Sequence, residues 1–218
     1  MSVFFQPLDK ALSSEGKVRI FRVLLRAAGP LSGREIARRS RVALLSVQKA
    51  MADLVTLEAV DRKETSAQHL YSINEANFLV REGIAPLFAA EARRVEEVFE
   101  RIRGILSEDE APEVASAAVF GSAARGEDGL TSDFDLLVVT RTESAVWRWQ
   151  SRLAAAAPLL QRELGIRLSP VILSLDDLRR QHAERSPFVT SLLMDARTIV
   201  GVEPENLLDG VGATGTSP

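Results

Sequence analysis

The pattern of apolar positions divides the chain into two regimes, helical spacing first and alternating strand and helix later. Val18, Phe21, Leu24, Leu25 and Ala28 recur at helical intervals and predict one buried stripe, which stops at Gly29-Pro30. Ser32-Gly33-Arg34-Glu35 has the spacing of a capping box, in which each polar side chain satisfies an end amide. It opens a short helix through Ser40. A third helix follows, with Val47, Met51, Leu54 and Leu57 on its inner face. Residues 59–63, a polar tip at 64–68 and a return strand at 69–73 then predict a two-stranded hairpin.

Asn74 is placed to cap a long helical segment over about residues 75–106, and Pro86 is expected to kink or interrupt it. Phe88, Val95, Val98, Phe99, Ile102 and Leu106 give its later half an apolar stripe. Such a helix could join two modules or pair with its copy in a homodimer. The acidic, proline-interrupted stretch 107–113 marks the expected boundary. Beyond it, strands are predicted at 114–120, 133–140 and 166–173, with a short last one at 198–202. Helices are predicted at 144–164, 176–184 and 187–197. The Gly-Val-Gly-Ala-Thr-Gly-Thr-Ser-Pro tail predicts disorder.

Composition narrows the class. The chain has 218 residues, 46% of them hydrophobic and 26% charged, the mixture of an ordinary globular protein. Its longest uncharged stretch, residues 114–124, is far short of the twenty or so that a membrane helix needs. The first sixteen residues lack a secretory signal, so a cytoplasmic protein without membrane partners is the default. With no cysteine and only His69 and His182, neither a disulfide framework nor a zinc centre is expected. From Glu15 to Glu75 there are eleven Lys/Arg against seven Asp/Glu, a local balance of +4 within a total of −3. A basic first module beside an acidic remainder suggests two modules with different partners.

Three short helices followed by a hairpin, over SGREIARRSRVALLSVQKAMADLVTLEAVDRK, resemble the winged helix-turn-helix of bacterial and archaeal transcriptional regulators. The resemblance implies double-stranded DNA as a partner and residues 44–57 as the recognition helix. Leu45, Ser46, Gln48 and Lys49 would then face the major groove. Arg38, Arg39, Arg41, Arg62 and Lys63 would meet phosphates, which position the protein without reading sequence. Winged helices also serve as protein-docking modules, and that alternative stays open.

The segment that carries chemistry is Val119-Phe120-Gly121-Ser122-Ala123-Ala124-Arg125-Gly126-Glu127-Asp128-Gly129-Leu130-Thr131-Ser132-Asp133-Phe134-Asp135-Leu136-Leu137-Val138-Val139. A buried strand ends at Gly-Ser, where glycine permits close backbone approach and the next amides can face an anion. Asp133 and Asp135, two apart on a strand, project from one face and can converge on one hard cation, while Phe134 turns into packing. A phosphate cradle and two carboxylates at opposite ends of a tight loop make a metal–triphosphate site.

GSAARGEDGLTSDFDLLVV resembles the minimal nucleotidyltransferases of the DNA polymerase β superfamily, whose motif is Gly-Ser, ten residues, Asp-x-Asp. The resemblance covers about residues 114–202. It implies that Gly121 and Ser122 hold the triphosphate, with Arg125 and Ser132 also matching the nucleotide-binding pattern. Asp133 and Asp135 would be catalytic and hold Mg2+, brought in with ATP. A nucleoside monophosphate would pass to an acceptor, and relatives include antitoxins that modify partner toxins. Members of the family usually carry a third carboxylate on the next core strand. Here that strand, 166–173, has none, and Asp176 and Asp177 read as the start of a helix. Trp147 and Trp149 are expected to pack.

The expected fold is α+β. A winged helix-turn-helix spans 1–75, a helical connector 76–112, a nucleotidyltransferase domain with a mixed sheet and flanking helices 113–203, and a disordered tail 204–218. Two functions stay open: an enzyme moving NMP from Mg-NTP to an unknown acceptor, in a toxin–antitoxin setting, or a DNA-binding regulator whose degenerate transferase domain only senses nucleotide.

Overall fold

Glu15–Leu25 is helical because Ser14, extended, accepts a hydrogen bond from the Lys17 amide and closes the first turn. The computed structural model describes residues 4–66, 68–107 and 113–208. In chain order the first elements are α1 (Leu8–Ala11), α2 (Glu15–Leu25), β1 (Leu31–Ser32), α3 (Gly33–Ser40), α4 (Leu44–Thr56), β2 (Val60–Glu64) and β3 (His69–Ile73). Packing divides the chain into two compact units, Met1–Arg93 and Arg94–Pro218.

In the first unit Ile20, Phe21 and Leu24 of α2 meet Ile36 of α3 and Val47, Met51 and Leu54 of α4, all buried. Each such side chain contributes about 1.5–3 kcal/mol relative to exposure. The α2 stripe differs from the expected one at its end and within it. The helix stops at Leu25, Ala28 is exposed, and Ile20 belongs to the core. Lys17 is buried too, because its ammonium donates to the Asp53 carboxylate at 2.7 Å and to the Lys10 carbonyl at 2.7 Å. The strands form an antiparallel sheet in the order β1-β3-β2, with Val60 opposite Ile73 and Glu64 opposite His69.

The capping box at Ser32 is half made. Its hydroxyl accepts from the Glu35 amide at 3.2 Å, but the Glu35 carboxylate turns to the guanidinium groups of Arg38 and Arg39 instead of back to the cap. Hydrogen bonds from Arg38 and then Arg39 hold the Glu35 carboxyl down at about 2, from an ordinary 4.5. Its folded pKa lies below its unfolded one, so its stabilising share is present above about 4.5 and is lost as pH falls toward about 2. Glu35→Gln should therefore flatten the acid limb of the stability–pH curve in that window. Acid titration followed by circular dichroism checks this, and identical limbs would refute it.

Asn77, rather than Asn74, caps the long helix. Its side-chain oxygen accepts from the amides of Leu79 and Val80, whereas Asn74 caps only a turn at Ala76. Pro86 does not break that helix. Lacking an amide, it is preceded by one wide π-turn, Val80–Ile84, in which the Ala85 amide reaches back five residues to the Val80 carbonyl. The helix then continues as α5 (Ala85–Ser107). The expected 76–112 connector is therefore not a separate body. Val80, Ile84 and Phe88 lie in the first unit's core, and Val98, Ile102 and Leu106 in the second's. Most of the expected boundary, residues 108–112, lies outside the described residues.

The second unit runs β4 (Val114–Val119), α6 (Gly121–Arg125), β5 (Phe134–Thr140), α7 (Glu143–Leu164), β6 (Leu168–Ser174), α8 (Leu175–Ala183), α9 (Pro187–Asp195) and β7 (Arg197–Gly201). Its sheet has the order β6-β5-β4-β7. Only the β5–β6 pair is parallel, joined through α7. Helices cover both faces, which is why β5 reads Leu-Leu-Val-Val without polar alternation. Leu136 and Val138 pack with Ile102, Trp149 and Leu153, whereas Leu137 and Val139 pack with Leu178, Val189 and Leu192. Trp147, expected to pack, is 76% exposed, two positions round the helix from the buried Trp149.

Part of the expected tail is structured. Pro204–Leu207 forms a 3-10 turn whose Leu207 carbonyl accepts from Arg179, and the remaining expected tail, 209–218, lies outside the described residues. Gly201, which ends β7, has φ +77° and would place a Cβ 2.2 Å from the Ala115 carbonyl oxygen. Gly201→Ala is expected to destabilise the unit by about 3 kcal/mol. Thermal melting of the variant measures this, and an unchanged midpoint would count against the register at β4–β7.

Candidate functional site

Two strand ends bring Gly121 and Asp135 of the second unit together. β4 runs out at Val119, and Phe120 then donates its amide to the Asp135 carbonyl at 3.1 Å, tying the start of α6 to the start of β5. Gly121 follows with φ +70°. A Cβ there would lie 2.7 Å from Oδ2 of Asp135, so only glycine lets this backbone approach the carboxylate. The structure thus brings Gly121 against Asp135.

The intervening loop is held by its own hydrogen bonds. The Glu127 amide donates to the Ser122 carbonyl at 2.9 Å, and the Gly129 amide donates to the Ser132 hydroxyl at 2.9 Å. Ser132 therefore closes the turn that delivers Asp133. Asp133 is exposed and Asp135 half-buried; Phe134 between them packs into the core shared with α7. Asp133 is paired with Arg167, Nε to Oδ1 at 3.2 Å, and Arg167 also donates to the Thr131 carbonyl. Arg125 is tied to Glu127 at 2.8 Å and to Asp195 at the end of α9. Those bonds, from Glu127 first and Asp195 second, raise the Arg125 guanidinium above its ordinary pKa.

Sequence reading did not single out Arg167 and Asp195. Arg167 sits one residue before β6 and is legible once Phe134 is aligned with Leu168, whereas Asp195 lies 70 residues from its partner with no local signal.

The register of β6 locates the position where a third acid would stand. Asp135 is opposite Ser169 in the parallel ladder, so both side chains leave the same face. That neighbour is a serine. Ser174 accepts from the Asp177 amide at 3.1 Å, and Asp177 belongs to the first turn of α8, as expected. Among the described residues, no group of three or more His, Cys, Asp or Glu could hold a metal ion. Carboxylates such as Asp133 and Asp135 are ligands for a hard cation that brings the rest of its shell with it.

A second surface lies on the first unit. Leu45, Ser46, Gln48 and Lys49 share the exposed side of α4, and Leu45 is 80% exposed. Arg38, Arg39, Arg41, Arg62 and Lys63 are all exposed. Arg38 and Arg39 are paired with Glu35, and Arg62 with Glu64 at 3.2 Å. No helix is long and apolar enough to cross a membrane among the described residues.

A family model for the nucleotidyltransferase domain matches residues 99–197, so the second unit contains that domain. Domains of this kind generally use a divalent metal with a nucleoside triphosphate. No curated protein matches the chain. Among solved structures, a toxin–antitoxin with AMP-PNP is similar at 19% identity over 50% of this chain and 80% of that one, TM-score 0.32. Sso10a-2, a DNA-binding protein from Sulfolobus solfataricus, is similar at 20% identity over 42% and 97%, TM-score 0.29. TrmBL2, an archaeal chromatin protein, is similar at 17% identity over 83% and 73%, TM-score 0.27.

Proposed function

We propose that the second unit binds a nucleoside triphosphate with Mg2+ at Gly121, Ser122, Asp133 and Asp135 and transfers its nucleoside monophosphate to an acceptor. We propose further that the first unit is a winged helix that binds duplex DNA. The observation that supports the first proposal is the close approach of the Gly121 backbone, at φ +70°, to the Asp135 carboxylate, which sets the Gly-Ser turn beside an acid. Asp133 and Asp135 would hold the cation, which neutralises charge on the phosphates. Gly121 and Ser122 would receive the triphosphate on backbone amides. Arg125 is held by Glu127 and Asp195, so its part is to fix α6 unless those pairs exchange. In the transfer, the bond from the acceptor oxygen to the α-phosphorus forms, the bond to the β-phosphate bridge breaks, and pyrophosphate leaves. ATP is the expected nucleotide, and the acceptor is a protein, nucleic acid or small molecule.

Calorimetry of Mg-ATP on the full chain tests this reading. Asp135→Ala should weaken binding by about tenfold or more, the worth of one charge-assisted interaction. Asp133→Ala should do the same, less the contribution of the freed Arg167. Equal affinity in wild type and both variants would overturn the site.

One observation favours a second reading, in which the domain senses nucleotide without turning it over. Ser169 occupies the place beside Asp135 where an acid would accept the acceptor's proton, and β6 carries no acid.

A further inference from the structure

The strand alternation gives the second unit two distinct sides at the active end of its sheet. Asp135 and Ser169 leave the side shared with α8 and α9, whereas Phe134 and Leu136 leave the side shared with α5 and α7. On that second side lies a cavity of about 720 Å3. Gly121, Ser122 and Asp135 do not line it; Ser132 and Asp133 do.

We propose that this cavity is a second ligand site, for an aromatic anion: a planar ring bearing a phosphate or a carboxylate. Its volume is that of a small-molecule pocket. Buried Val98 and Val119 and half-buried Phe99 and Phe134 line its apolar part, and two ring faces suit a planar ligand. The polar part carries three guanidinium groups, Arg94, Arg167 and Arg197, against the carboxylates of Asp128 and Asp133. Arginine, with its planar fork, is the residue type that binds carboxylate and phosphate in pairs of hydrogen bonds.

The three arginines differ in how much of that capacity is used. Arg94 gives one nitrogen to the Leu164 carbonyl at 2.7 Å, and Arg167 is shared between Asp133 and Thr131. The Arg197 side chain makes no hydrogen bond or ion pair among the described residues. It is opposite Val119 in the β4–β7 ladder, so its side chain leaves the cavity side of the sheet. Arg197 is the ligand's primary anchor. Arg167 links the site to the nucleotide site, because an anion that takes its guanidinium releases Asp133.

Binding of the fluorescent aromatic anion 1-anilinonaphthalene-8-sulfonate to the full chain tests the proposal. One saturable site is expected. Arg197→Glu should weaken it about ten- to a hundredfold, and Arg197→Lys should retain most of it. Adenosine monophosphate and 2-naphthoate, added in separate arms, should displace the probe, and the stronger competitor tells phosphate from carboxylate. Mg-ATP affinity should be unchanged in Arg197→Glu, which keeps this result separate from the nucleotide site. Probe binding unaltered by Arg197→Glu, or displaced by neither competitor, would overturn the proposal. So would loss of Mg-ATP binding in that variant, because the cavity would then be the nucleotide site itself.

Discussion

Replacing Ser169 by aspartate is expected to speed nucleotidyl transfer by about 10²–10⁴-fold, the usual worth of general-base help, and to leave Mg-ATP affinity nearly unchanged. The reason is positional. Ser169 lies opposite Asp135 on the adjoining strand, and in a parallel ladder such neighbours stand about 4.8 Å apart on one face. A carboxylate there would face the acceptor oxygen and take its proton. Labelled ATP with a candidate acceptor measures the rate, and Asp133→Ala in the Ser169→Asp background should abolish it. Rapid transfer by the wild type, with no gain in Ser169→Asp, would show that the proton acceptor comes from elsewhere.

The site was legible in the sequence because its parts are local. Gly121-Ser122 and Asp133-Phe134-Asp135 lie within one strand–turn–strand, and the two-residue strand period predicts both carboxylates on one face, although β5 begins only at Phe134. What the sequence withheld is pairing. Arg125 matches a nucleotide-binding pattern, yet its partner Asp195 is 70 residues away, and no spacing rule links them. Arg167 is an ordinary arginine until the β5–β6 register puts it beside Asp133.

The first unit failed at its edges for related reasons. Helical periodicity located α2 but admitted Ala28 and omitted Lys17, whose burial depends on Asp53, 36 residues on. The capping box supplied the Ser32 half and not the Glu35 half, because two arginines one turn along outcompete a single backbone amide for that carboxylate. At Pro86 the expectation of a kink or interruption did not foresee the remedy, since one π-turn absorbs the missing amide and the helix goes on. Trp147 and Trp149 are two residues apart, and a helix turns about 200° over that step, so they face opposite ways and both could not pack.

Duplex DNA affinity of the full chain is expected to fall about a thousandfold as salt rises from roughly 50 to 200 mM, a log–log slope near −5. Six exposed cations set that slope if each meets a phosphate: Arg38, Arg39, Arg41, Lys49, Arg62 and Lys63. Three of them are held by carboxylates in the free protein, Arg38 and Arg39 by Glu35 and Arg62 by Glu64. Phosphates must displace those acids, so Glu35→Gln should tighten binding at every salt concentration without changing sequence preference. Leu45→Ala should act differently. An apolar side chain 80% exposed on α4, beside Ser46, Gln48 and Lys49, suits contact with a thymine methyl group, and its loss should weaken binding only at particular sequences. Fluorescence anisotropy with a panel of duplexes separates the two effects. A slope near zero, or no binding to any duplex at low salt, would remove DNA from the first unit's partners and leave protein docking as its use.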